Sequence, residues 1–169
     1  TALDMSHAFV GPVGCYHLCE AVAGVRAGCT LTSLDLSYNR LGCDGAVSVG
    51  KLVERNRSLT ALHARCNQIR GKGAAALARS LERAARRPVG SPVAVLALGG
   101  NPIDKAGARA LLRAAEACPN LQDFGLDALA VHVGTKARIR ATLDENRRGG
   151  GGGGAGPRNE AGIENVRFV

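Results

Sequence analysis

The chain has 169 residues, 46% of them hydrophobic, which is enough for one domain with a buried core. Aromatic residues are only 3% and Trp is absent, so the core must be built from Leu, Val, Ala and Cys in thin layers. The net charge of +8 favours acidic partners. The doublets Arg86-Arg87 and Arg147-Arg148 are nevertheless scattered, and the stacking aromatics of nucleic-acid modules are missing, so a solvated basic surface is expected rather than a nucleic-acid site.

In chain order, residues 1–24 open with Leu3, Met5, Val10 and Gly14, a first apolar frame with Ala8 inside it. The same frame returns as LTSLDLSYNRLGCDG at 31–45, LTALHARCNQIRGKG at 59–73 and VAVLALGGNPIDKAG at 93–107. Asn39, Asn67 and Asn101 hold one column and Gly45, Gly73 and Gly107 another. A degenerate fifth copy spans 121–135, with Leu129 in the Asn column and Thr135 in the Gly column. Measured on the Gly column, the spacings are 31, 28, 34 and 28 residues. Each copy predicts a short strand, a turn and a helix. Leu34 and Leu36 point inward, whereas Ser33, Asp35 and Ser37 point out. Each helix follows its Gly, with a buried stripe at Leu18, Val49, Leu77 and Leu111. The three Asn side chains are expected to bond the turn backbone and link coil to coil.

This pattern, LxxLxLxxNxL followed by Gly and a helix, resembles the ribonuclease-inhibitor class of leucine-rich repeats over residues 1–148. The resemblance implies an α/β solenoid: a curved right-handed horseshoe segment with short parallel strands on the concave side and helices on the convex side. Residues 149–157 read as a Gly-rich linker and 158–169 as a tail that could dock or fray. The abrupt start predicts further repeats before Thr1, and the degenerate fifth copy predicts a closing coil around Lys136–Arg148.

Catalysis is not expected. The histidines show no HExxH or other metal spacing, and Gly71-Lys72-Gly73 lacks the remainder of a phosphate loop. No cofactor or small-molecule substrate is called for. His63 and Cys66 share a strand-turn, but no orienting group or oxyanion site accompanies them. The six cysteines contain no CxxC and are read as reduced, mostly buried thiols of an intracellular protein. No apolar run approaches a membrane span.

The expected function is therefore protein–protein interaction or scaffolding in a larger cytoplasmic assembly. Composition rich in Ala, Gly and Arg adds a cytoskeletal or ciliary (axonemal) subunit to that expectation. The alternative implied by the resemblance is an enzyme regulator, like ribonuclease inhibitor or a Ran GTPase-activating protein. Candidate partner-binding residues are Asp35, Tyr38, His63, Arg65 and Asp127 on the concave side, and Arg86 and Arg87 in the loop and ridge of the 34-residue interval. The expected partner is a protein with an acidic surface.

Overall fold

The structure is a computed structural model, and it describes residues 1–24, 31–125 and 133–149. The elements run β1 (Ala2–Asp4), α1 (Gly11–Gly24), β2 (Ser33–Asp35), α2 (Gly42–Arg55), β3 (Ala61–His63), α3 (Gly71–Ala85), β4 (Val95–Ala97), α4 (Lys105–Ala117) and α5 (Val133–Gly149). The four strands form one parallel sheet in chain order. Its register aligns the copies as the repeat predicts: Leu3, Leu34, Leu62 and Leu96 stand side by side. A single bridge between Val95 and Asp123 carries the fifth coil onto the sheet. The Gly-rich linker and tail from residue 150 lie outside the described residues.

Three-residue strands cannot hold together alone. Each contributes one or two inward leucines, and stacking turns these into a continuous core. Leu34, Leu36, Leu62, Leu96, Leu98 and Phe124 are fully buried, as are Val49, Leu77 and Leu111 from the helices. The stripe is looser in α1, where Leu18 and Val22 are only partly buried and Cys15 fills the middle.

The Gly column plays a different part from the one expected. The helices begin two or three residues earlier, so Gly45, Gly73 and Gly107 lie inside the first turn. What requires glycine is closeness: a Cβ on Gly107 would stand 2.8 Å from the Gly71 Cα and 2.9 Å from Ile103 Cγ2. The first of these is backbone and cannot swing aside. Gly107→Ala is expected to cost about 1–3 kcal/mol of stability, typical of overpacking, measurable as a lower denaturant midpoint at unchanged slope.

The Asn ladder is formed. Asn67 Oδ1 accepts from the amides of Asn39 (2.8 Å) and Leu41 (3.4 Å), while its Nδ2 donates to the carbonyls of Leu36 (2.8 Å) and Arg65 (3.1 Å). Asn101 does the same one coil on, accepting from Asn67 N and Ile69 N and donating to Ala64 O and Leu98 O. Asn39 reaches back to Val10 N and Met5 O. At the C-terminal end Asn146 of α5 takes over this work from outside the repeat column. Its Nδ2 donates to the carbonyls of Ala115, Cys118 and Leu121 at 2.9–3.1 Å.

The turns share an unusual backbone. His7, Tyr38, Cys66 and Gly100 hold equivalent places, and all adopt left-handed φ between 52° and 71°. Two residues later Phe9, Arg40 and Gln68 do so again at 53–60°. Left-handed backbone costs a side-chain-bearing residue roughly 1–2 kcal/mol. The inter-coil bonds hold it there: Tyr38 N donates to Arg65 O at 2.9 Å and Cys66 N to Gly99 O at 3.0 Å. In the fourth coil Gly100 takes the first place without strain, and Pro102, whose ring fixes φ negative, takes the second.

Among the described cysteines none is paired. Cys118 is buried, its thiol donating to Leu81 O at 3.4 Å. Burial, aided by the nearby charge of Glu82, pushes its pKa up to about 11 from 9.0. The folded chain thus prefers the neutral thiol more than the unfolded chain does. That contribution is intact below about pH 9 and is lost as pH rises through about 11. A Cys118→Ala variant is expected to lose part of the wild-type decline in melting temperature between these two pH values.

Candidate functional site

The concave surface is built by the outward positions of the strands and the turns that follow them. Asp4, Asp35, His63 and Ala97 form one cross-strand column. Asp35 faces out as expected, but part of its carboxylate serves the fold: Oδ1 accepts the Ser37 amide at 2.8 Å. Asp4 and Asp123 do the same for Ser6 and Gly125. Ser37 does not face out. It is 5% exposed, and its Oγ accepts the Arg65 amide at 3.2 Å, because neighbouring turns close over that position.

Tyr38 is half exposed and stacks on His7, with ring centroids 4.2 Å apart and planes 11° from parallel. Its hydroxyl is held above the usual phenol range, first by hydrogen bonding with the Cys66 thiol and then by that thiol's charge and slight desolvation. His63 is half-buried and Arg65 exposed. Tyr38, His63 and Arg65 therefore lie on adjacent coils of one face.

Arg65 also lines a cleft of about 210 Å³ with Asp123, Gly125, Arg140, Leu143, Asp144 and Arg147. This cleft joins the concave surface to α5. Sequence reasoning missed it, because α5 stands in no repeat column that would place Arg140 and Arg147 beside Arg65. Asp127 lies outside the described residues.

The loop residues divide. Arg86 is exposed at the end of α3, whereas Arg87 turns inward. Its Nε donates to Ala84 O at 3.0 Å, and its Nη1 donates to Glu54 O and Asn56 O at 3.1 and 3.5 Å. Arg87 thus occupies the carbonyls that the end of α2 leaves unsatisfied. Beside it, Pro88, Val89, Gly90 and Pro92 line a cleft of about 280 Å³ with Arg57, and Val89 projects 86% exposed. Arg86 and Arg87 do not join the concave group.

Among the described residues no cluster of three or more His, Cys, Asp or Glu could hold a metal ion, and no helix is long and apolar enough to cross a membrane. A sequence profile described as Leucine Rich repeat matches residues 29–50 and 55–78, two successive copies of the repeat.

The chain folds as a leucine-rich-repeat array.

Solved structures agree on the fold. The Leiomodin-1 Actin-Binding Site 2 superposes with a TM-score of 0.68 at 14% identity, covering 89% of this chain and 82% of that one. The tropomodulin C-terminal domain from Caenorhabditis elegans does so with 0.71 at 16% identity, covering 88% and 84%. No curated protein matches the sequence. At these identities the likeness establishes a leucine-rich-repeat architecture shared over nearly the whole length.

Proposed function

We propose that this leucine-rich repeat chain is a non-catalytic protein-interaction module of a cytoplasmic cytoskeletal assembly. The observation that carries the reading is the superposition, over 89% of this chain, on a domain named for actin binding, the Leiomodin-1 Actin-Binding Site 2. The surface supports it. A rigid Asn-linked scaffold presents Tyr38, His63 and Arg65 on one face, and aromatic and Arg side chains dominate interface energies. An acidic partner surface suits Arg65 and the two arginines of the neighbouring cleft.

Co-sedimentation with filamentous actin tests the specific form of this reading. A cross-linking pull-down from native extract, with and without residues 149–169, tests the general form. Pelleting with actin that weakens about tenfold in Tyr38→Ala/Arg65→Glu would support both. No pelleting together with recovery of a different cytoskeletal protein would replace actin as the partner. Recovery of nothing by the full chain would overturn the interaction-module reading.

A further inference from the structure

Seven large hydrophobic side chains are strongly exposed among the described residues, and five of them, Phe9, Val13, Tyr16, Tyr38 and Val47, belong to the first two coils. In a chain with so few aromatics this concentration calls for a cause. An end coil exposes apolar surface simply because it lacks one neighbour, but that does not account for Phe9, Val13 and Tyr16.

Aligned on the Gly column, Phe9 occupies the place held by Arg40, Gln68 and Pro102. Val13 occupies that of Asp44, Lys72 and Ala106, and Tyr16 that of Val47, Ala75 and Arg109. All of these counterparts are exposed except Ala75, which is intermediate, although the coils that carry them are flanked on both sides. These places face solvent wherever they occur in the array, so a coil ahead of the first would leave them uncovered. Phe9 at 82% exposure and Val13 at 69% are therefore apolar side chains on a solvent-facing rim. Val13 and Tyr16 are neighbours on one helix face, and Val47 continues the patch onto the next coil.

Further along the same rim the chemistry changes. Arg40, Arg70, Lys72, Lys105 and Arg109 are all exposed there. The acids on this rim are Asp44 and Asp104, and Asp104 is occupied in accepting the Gly107 amide at 2.8 Å. The N-termini of α1 to α4 also open onto this rim and add their partial positive charge. The rim thus runs from apolar to cationic over about 25–30 Å, at 8–10 Å per helix pair. About eight extended residues would span it.

We propose that this rim docks an acidic segment of a partner protein, its large apolar side chains seated on Phe9, Val13 and Tyr16 and its carboxylates on the arginines and lysines of coils two to four. The proposal rests on the interaction-module reading and names a surface and a partner chemistry for it. It is distinct from the concave face, because the rim lies where each turn enters its helix.

The test pans a phage-displayed library of random peptides of about 16 residues, enough to cross the rim, against the full chain. Enriched peptides are then measured by fluorescence anisotropy. Peptides combining aromatic or aliphatic residues with a run of Asp or Glu are expected. Their affinity should fall about tenfold or more in Phe9→Ser/Val13→Ser, and comparably in Arg70→Glu/Lys72→Glu, with weakening at high salt. The substituted side chains are exposed, so both variants should melt like wild type. No enrichment, enrichment of peptides without acids, or unchanged affinity in Phe9→Ser/Val13→Ser would overturn the proposal. So would binding of single-stranded RNA or phosphatidylserine vesicles that the same variant abolishes, since the rim would then serve another class of ligand. If Phe9→Ser/Val13→Ser recovers the wild-type partners from extract in full, the rim assignment fails while the interaction-module reading stands. If the wild-type chain recovers none, that reading fails.

Discussion

Asn67→Ala is expected to lower the unfolding free energy by about 3–5 kcal/mol, more than any surface substitution in the chain. The side chain is fully buried and serves four backbone groups: the amides of Asn39 and Leu41 and the carbonyls of Leu36 and Arg65. Alanine leaves the two amides without an acceptor in a space closed to water, whereas Arg65 O keeps the Tyr38 amide and Leu36 O keeps Asn39 Nδ2. A buried donor or acceptor left without a partner costs about 1–3 kcal/mol, so the sum is large even after relaxation. Urea denaturation followed by circular dichroism measures the loss. Asn67→Asp sharpens the test. Its ionised carboxylate keeps the acceptor for Asn39 N but turns a second oxygen toward Leu36 O, which Nδ2 approaches at 2.8 Å. This variant should be at least as unstable near neutral pH and should recover partly as pH falls, when the protonated acid can donate. A loss below about 1 kcal/mol for the alanine variant would mean that the ladder is not what couples the coils.

Phe124→Ala is expected to cost about 3–5 kcal/mol, with the damage concentrated at one end. Phe124 is fully buried in the fifth coil, in one core with Ile139 and Leu143 of α5, and its backbone oxygen accepts Leu98 N at 2.9 Å. In a stacked array each coil touches only its neighbours, so an end lesion releases the end first. Hydrogen exchange should quicken in α5 and α4 well before α2. Uniform quickening across the chain would show that the array unfolds as one unit. The contrast with Asn67→Ala, which lies mid-array, separates local from global cooperativity.

The architecture was legible because its signal repeats. The Leu, Asn and Gly columns recur three times in register, and the observed strand pairing matches them position for position. What escaped sequence reading depends on distances between coils. Nothing within the second copy says that Ser37 is covered by the turn carrying Arg65, or that Asp35 accepts its own turn amide. Arg87 reads as one more basic residue until the carbonyl of Glu54 is seen beneath it. Asn146 stands in no column and so could not be recognised as a cap. Of the candidate partner-binding residues, His63 and Arg65 have the outward parity of the strand, whereas Tyr38 has the parity of the buried Leu34 and Leu36 and is exposed at a left-handed turn. Phe9, Val13 and Tyr16 could have been found from the same sequence by comparing each column for chemistry rather than for identity.

The left-handed position in each turn has an evolutionary consequence. His7, Tyr38, Cys66 and Gly100 are an imidazole, a phenol, a thiol and no side chain at all, carried on one backbone conformation. The neighbouring coils set that conformation, so the side chain is relieved of any duty to specify it. Mutation at this place can change what the molecule displays while leaving its shape alone. Residues elsewhere in a compact fold seldom have that freedom. Duplication of a coil supplies a new copy of the place, and drift then fills it. An array of this kind can acquire a new specificity by single substitutions, without first becoming unstable.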